Sequence, residues 1–286
     1  MSRRETGLLA LLAVAVAVLA LAVRFASPHS ELRRVMNAHG LKHGVIAYGA
    51  PGKPFTLIRM GADENDVFPY FSLSKPMTAA VVEALVRDGK ISLDEQVEGA
   101  SVDQLLHHAG GWDREIAGDP VAGENELPRC KDAKAPPKQF KPGTRAAYSN
   151  LGYCLLGRLV EQRTGEPFEK VAWRILPETR DMTYSPVLGP AGGWSGTIAP
   201  YYRFASRPVD PAALVRPDYA PTGAYYGMSW KVLEDGTLAH YGEYDPDHYS
   251  VVFKRPGWVA VGLFTGRPAD GDATRDDLLK VLSGYR

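Results

Sequence analysis

The amino-acid sequence predicts a mixed α/β fold of the α+β kind: one antiparallel sheet completed by both ends of the chain, flanked by helices, plus a mostly helical lobe. Three observations carry this expectation. "GVIAYGA" (44–50) and "FTLIRMG" (55–61) are short strand-like runs separated by the turn-forming "PGKP". Four more strand-like runs crowd the C-terminal part of the chain. Between the two groups the apolar residues fall at helical spacing instead.

The elements follow in order. "SELRRVMNAHG" (30–40) reads as a short helix closed by Gly40, ahead of the first two strands. "KPMTAAVVEALVRDG" (75–89) is an amphipathic helix ended by Gly89. "SVDQLLHHAGG" (101–111) is a shorter one with Ser101 as N-cap. Residues 112–143 are loop-rich, interrupted by Pro120, Pro128, Pro136, Pro137 and Pro142. "NLGYCLLGRLVEQRTG" (150–165) is a helix stopped by Gly165. "YGMSWKVL" (226–233), "TLAHYG" (237–242), "YSVVFK" (249–254) and "WVAVGLFTG" (258–266) are consecutive strands, and "ATRDDLLKVLSGY" (273–285) is a closing helix. On this reading residues 27–286 form one domain, with a sheet lobe of about 27–70 and 220–286 and a helical lobe of about 71–219. A cleft is expected where the lobes meet.

The chain has 286 residues, 45% of them apolar, and 33 basic residues balance 33 acidic ones. With no Lys/Arg block, a nucleic-acid partner is not expected. Arg3 and Arg4 precede an uncharged run from Gly7 to Val23, closed by Arg24. Residues 1–26 therefore read either as a cleaved export signal, with Ala20-Leu21-Ala22 as a small-residue cleavage site, or as a retained membrane anchor. Either places the rest of the chain outside the cytoplasm, on a periplasmic or extracellular face. Cys130 and Cys154 suit that setting if they pair as a disulfide. The alternative is a buried Cys154 with Cys130 free. Asp63, Glu64 and Asp66 lack calcium-loop spacing and read as solvated surface.

"FSLSKPMTAA" (71–80) carries the first chemical signal. Ser72 and Lys75 are three apart, so on a helix they share a face and the amine can approach the hydroxyl. Pro76 is comfortable only in a first helical turn, which places the helix start at about Ser72 to Lys75. The Ser72 N–H then lacks an intrahelical partner, which is half of an oxyanion hole. Alone, Ser-x-x-Lys is weak, because Ser74 as a cap beside a solvated Lys75 explains it equally well. Tyr148-Ser149-Asn150 follows a Pro-Gly turn at a helix start. Its phenol becomes a general base only if its pKa falls from about 10 toward 7, and a nearby cation such as Lys75 can drive that. Asn150 offers a donor and an acceptor to a substrate amide. His240-Tyr241-Gly242 lies on a predicted strand, where Gly242 lets a ligand approach the backbone. The N–H of Glu243 then completes the oxyanion hole with Ser72.

Ser72-x-x-Lys75, Tyr148-x-Asn150 and His240-x-Gly242, in that order, resemble the three motifs of the penicillin-binding-protein-like serine hydrolases. That family includes class C β-lactamases, D-alanyl-D-alanine carboxypeptidases and related esterases and peptidases. "ISLDEQV", "LLHHAGGW", "KPGTRAAYSN" and "GPAGGWSGT" add to the resemblance, which runs from about Glu31 to the C-terminus. It implies the β-lactamase/transpeptidase-like fold and an acyl-enzyme mechanism. Ser72 would attack a carbonyl while Lys75 and Tyr148 move its proton. Asn150, His240, Gly242 and Glu243 would bind substrate. No metal or other cofactor is implied. The expected partner is a small-molecule or peptide substrate of cell-wall type, with membrane contact through the leader if it is retained.

Two departures bear on substrate. His240 stands where β-lactamases of this kind usually carry lysine and carboxypeptidases often carry histidine, replacing a constant charge with a group mostly neutral above pH 7. Tyr241 replaces a small hydroxyl residue that would meet a substrate carboxylate. The stretch from Tyr148 to His240 is also short for the family. The sequence therefore favours an exported or membrane-anchored hydrolase of esters or amides over a β-lactamase or D-Ala-D-Ala carboxypeptidase proper. A non-catalytic cell-wall-binding protein of the same fold is the reading from another class, and the joint presence of Lys75 and Tyr148 argues against it.

Overall fold

The computed structural model describes residues 28–118 and 130–285. The leader-like run falls outside them. Among the described residues no helix is long and apolar enough to cross a membrane.

The first helix, α1 (Pro28–Ala38), leads into β1 (Gly44–Gly49) and β2 (Thr56–Met60). The chain returns to the same sheet only near its end, through β8 (Tyr225–Tyr226), β9 (Lys231–Val232), β10 (Leu238–Glu243), β11 (His248–Arg255) and β12 (Trp258–Thr265). The strand order is β2-β1-β12-β11-β10-β9-β8, antiparallel throughout, with Gly44 opposite Phe264 and Ala47 opposite Val261. The two ends of the chain thus complete one sheet, as the strand-like runs predict.

Alternation within β12 shows why both faces must be covered. Val259, Val261 and Leu263 belong to the core shared with the helical lobe. Ala260 and Phe264 point the other way, into a second core with Leu32 and Met36 of α1 and Leu278 and Leu282 of the closing helix. A period of two with apolar residues in both phases makes a central strand, and β12 is buried along nearly its whole length.

The helical lobe is built on α2 (Ser74–Arg87) and α5 (Asn150–Thr164), with α3 (Val102–Leu106) and α6 (Phe168–Ile175) against them. The expected caps are present. Ser101 and Gln104 form a reciprocal capping box, and Gly89 and Gly165 adopt φ of 68° and 70° after their helices. Three features depart from the sequence reading. The lobe holds a small sheet, β3 (Phe68–Pro69), β7 (Trp194–Gly196) and β6 (Thr183–Tyr184), and the helices Phe168–Ile175 and Ile198–Ala205 were not anticipated. "YGMSWKVL" is two short strands rather than one, because Ser229 turns through φ 66° between them.

The sulfurs of Cys130 and Cys154 are bonded, with their Cα atoms 5.2 Å apart. The link ties the interior of the loop-rich segment 112–143 to the second turn of α5. Converting both cysteines to alanine is expected to lower unfolding stability by about 2–4 kcal/mol. Urea denaturation of oxidised wild type and double variant checks this, and equal midpoints would contradict it.

Candidate active site

Ser72 sits in a single 3₁₀ turn, Phe71–Leu73, that runs directly into α2. Pro76 is the third residue of α2, inside the first turn where it costs no helical hydrogen bond. Phe71 has φ 47°, uncommon for a bulky residue, and this bend lifts Ser72 to the helix mouth. Neighbouring segments tie the bend down. The Tyr70 N–H donates to Trp194 O at 2.9 Å, Tyr201 Oη to Leu73 O at 2.9 Å, and Ser250 Oγ to Tyr70 O at 2.7 Å.

Lys75 is fully buried, and its Nζ reaches three oxygens: Ser72 Oγ at 3.0 Å, Asn150 Oδ1 at 2.5 Å and Ala191 O at 2.7 Å. The third partner lies in a turn, α7 (Gly189–Gly192), that sequence reasoning did not connect with the site. That turn is fastened to α2 a second time, by Thr78 Oγ1 donating to Pro190 O at 2.7 Å.

Tyr148 stands just ahead of α5, its ring 4.7 Å from Lys75 Nζ and under the Arg114 guanidinium at 4.9 Å. Its hydroxyl is shielded from solvent and, among the described residues, lacks a well-formed hydrogen bond, with Ser72 the polar side chain that approaches it. Burial drives its pKa well above the ordinary phenol value, with Tyr226 adding to the rise, while nearby Ser72 and Arg114 oppose it and lose. The expected lowering by Lys75 does not occur. The resting phenol is protonated because desolvation outweighs the neighbouring charges.

His108, which the sequence presents within "SVDQLLHHAGG" and "LLHHAGGW" without assigning it a role, brackets Tyr148 on three sides. Its carbonyl accepts the Ala147 N–H at 2.8 Å, its Nδ1 accepts the Ser149 N–H at 3.2 Å, and its ring stacks on the phenol at 4.4 Å. The Ser149 bond fixes the proton on Nε2. No contiguous motif could have announced this role, since it depends on a backbone carbonyl and a stacked ring.

On β10, His240 is 4% exposed and its Nδ1–H donates to Tyr241 O at 2.8 Å, leaving a buried Nε2 without a partner. Burial, with Lys75 nearby, lowers its pKa to about 3, so the ring is neutral. Gly242 is needed for a reason other than ligand access. A Cβ there would lie 2.3 Å from Tyr70 O and 2.9 Å from the Ser72 nitrogen, so the strand runs hard against the backbone of Ser72 itself. Glu243 is half-buried, and burial raises its carboxyl pKa.

Ser72, Tyr148, His240 and Glu243 line one cleft of about 120 Å³, together with Arg114, Tyr226, Lys231, Tyr241, Asp272 and Arg275. Lys75 and Asn150 stand behind Ser72, and Gly242 sets its spacing from β10. The structure therefore gathers all seven expected site residues. Cys130 and Cys154 form a link outside the cleft lining. Among the described residues no group of three or more His, Cys, Asp and Glu side chains is arranged to hold a metal.

A helical lobe against an antiparallel sheet, with Ser72 and Lys75 at the junction, defines the penicillin-binding-protein and β-lactamase class of serine hydrolase folds. The chain belongs to the beta-lactamase family, whose model matches residues 33–175, half of the chain. Among curated relatives, Penicillin-binding protein 4 of Amycolatopsis lactamdurans is 29% identical over 147 residues, covering 46% of this chain and 36% of that protein. A protein of Dichelobacter nodosus named as a probable fimbrial assembly protein, FimD of serogroup H1, is 32% identical over 126 residues, 38% of this chain and 32% of its own length. The match thus spans about a third of these relatives. Among solved structures, the D-amino acid amidase of Ochrobactrum anthropi SV3 superposes with a TM-score of 0.71 at 18% identity, covering 91% of this chain and all of that one. The octameric penicillin-binding protein homologue of Pyrococcus abyssi gives 0.68 at 17% identity, covering 90% and 77%.

The depressed histidine has a consequence for stability. His240 is neutral in the fold but takes a proton in the unfolded chain below about pH 6.5, so unfolding gains a proton and stability falls with pH from there toward about 3. His108 shifts in the same direction. Between pH 7 and pH 5 the His240 contribution is expected to be about 2 kcal/mol. Urea midpoints at both pH values should fall less for His240→Asn than for wild type; an identical drop would show that His240 is not held neutral.

Proposed function

We propose that this chain is a serine hydrolase that cleaves ester or amide bonds through an acyl-enzyme on Ser72. The observation that carries the reading is the hydrogen-bond arithmetic at Lys75. As an amine, Lys75 has two N–H groups for Asn150 Oδ1 and Ala191 O and a lone pair to accept the Ser72 O–H. As an ammonium, it has three N–H groups for the same three oxygens. The Ser72 proton can therefore cross to Lys75 with all three of these hydrogen bonds kept, which suits a general base.

Attack by Ser72 Oγ forms a C–O bond to the acyl carbon and pushes charge onto the carbonyl oxygen. The N–H groups of Ser72 and Glu243 receive that charge, with Gly242 holding β10 against the nucleophile. Collapse breaks the bond to the leaving oxygen or nitrogen. Tyr148, protonated at rest, donates its proton there and recovers one from Lys75. Asn150 orients the substrate while keeping Lys75 in place. Water then attacks the ester, and the same groups work in reverse.

The amidase and penicillin-binding relatives support acyl transfer at amide carbonyls as the reaction type. Export, through a cleaved or retained leader at residues 7–23, is part of the proposal, supported by that sequence and by the Cys130–Cys154 disulfide.

Intact-protein mass spectrometry after exposure to a fluorophosphonate tests it. A single adduct on wild type that vanishes in Ser72→Ala is expected, and Lys75→Ala should slow labelling by about 10²–10⁴-fold. Folded wild type that takes no adduct would turn the reading to a non-catalytic binder.

A further inference from the structure

One corner of the cleft is already occupied. Lys231, on β9 and opposite Ala239 of β10, directs its Nζ to Asp272 Oδ1 at 2.8 Å. Arg275, one turn further along the closing helix α9 (Gly271–Leu282), donates Nη1–H to the same oxygen. Tyr241 Oη approaches Asp272 Oδ2 at 3.5 Å. All four residues line the cleft that holds Ser72. Two cations and a phenol converging on one carboxylate is the donor set that would capture a substrate carboxylate. Here the carboxylate belongs to the protein.

We propose that Asp272 is a built-in occupant of the cleft's anion-binding corner, making the enzyme select acyl donors whose leaving group bears no carboxylate. This rests on the acyl-enzyme reading of Ser72 and names its substrate class. From the sequence, weak carboxylate recognition is attributed to both departures, the uncharged His240 and the bulky Tyr241. The cations are in fact present, supplied by a neighbouring strand and by the closing helix, and Asp272, with Asp276 on Arg275, neutralises them.

Three further features agree with it. Arg275 is 4% exposed, and its Nε–H and one Nη2–H also donate to Asp276 Oδ1 at 2.9 and 2.7 Å, which holds the guanidinium in place rather than free to swing toward a substrate. Asp272 is in the first turn of α9, where the helix dipole favours a carboxylate. Burial works against its ionised form, but Lys231 and Arg275 outweigh that, and its pKa is below the usual carboxylate value. The occupant stays charged. The other charged groups of the lining, Arg114 and Glu243, are opposite in sign and close enough to influence one another. An incoming carboxylate would meet Asp272 as a like charge, on cations that Asp272 already engages.

The test uses two esters, phenyl hippurate and 3-carboxyphenyl hippurate, which give the same acyl-enzyme and release phenol or 3-hydroxybenzoate. Ser72 Oγ gains the hippuryl carbon, the phenolic C–O bond breaks, and the phenoxide takes a proton. The readout is the ratio of kcat/KM values, carboxylated over neutral. Wild type should favour the neutral ester. Asp272→Asn, which keeps shape and removes charge, should raise the ratio by about tenfold or more. Adding Lys231→Met should reverse that gain. A wild type that prefers the carboxylated ester, or an Asp272→Asn ratio equal to wild type, overturns the proposal. So does failure of both esters to react while a fluorophosphonate still labels Ser72. If Asp272→Asn does not fold, the wild-type ratio decides alone. Absence of the fluorophosphonate adduct itself would instead remove the acyl-enzyme reading beneath the proposal.

Discussion

A buried amine held by three oxygens is the constraint around which the structure is organised. Lys75 comes from α2, Asn150 from the start of α5 and Ala191 from the Gly189–Gly192 turn, far apart in sequence. An isolated charge in such a place is expensive, so the fold must deliver every acceptor at hydrogen-bond distance. That requirement explains several otherwise unrelated details. The turn at Gly189–Gly192 is bonded to α2 through Thr78 as well as Lys75, and the Gly157 face of α5 leaves no room for a Cβ against Pro190. Packing α5, α2 and the turn this closely is what allows one side chain to touch all three.

Backbone strain gathers at the same place. Among the described residues four non-glycine residues have positive φ, and three of them, Phe71, His108 and Ser229, adjoin the cleft or its lining. Each is fixed by tertiary bonds rather than by its own preference: Phe71 between the tethered Tyr70 and Leu73, His108 by the Ala147 and Ser149 N–H groups, Ser229 by its N–H to Leu106 O at 3.0 Å. The surrounding cores supply the stability that keeps these conformations populated.

Such details mark the boundary of what the sequence reveals. Ser72 and Lys75 are legible because their relation is local, three residues on one helical face. The strands are legible because alternation encodes burial directly, and Ser101, Gly89 and Gly165 announce their caps by residue type. Tyr148, Asn150 and His240 become legible only through the order of motifs. Ala191 contributes a carbonyl, which carries no sequence signature. His108 and Asp272 act through contacts set by tertiary packing, and nothing in the residue types Phe, His and Ser signals left-handed backbone. The phenol's ionisation is not legible in the sequence for a related reason: counting nearby cations omits desolvation, which dominates inside a closed site.

The placement of charge across the cleft follows from the same physics. A lysine at position 240 would set a second cation near buried Lys75, in a medium that screens poorly. A neutral imidazole avoids that repulsion, and the Tyr241 carbonyl fixes its tautomer so that a lone pair, not a proton, is left unpartnered. The positive charge of the cleft is carried by Lys231 and Arg275 instead, where Asp272 and Asp276 can neutralise it. Lys231 keeps part of its surface in solvent, and the aspartates are about half exposed, so this network is solvated on one side, unlike Lys75. On the proposed mechanism, proton transfer needs a dry amine whose hydrogen bonds are met beside Ser72, and selection among substrates needs charges that an entering group can meet. The fold separates these demands by depth, with helices supplying the first and the sheet edge with α9 the second.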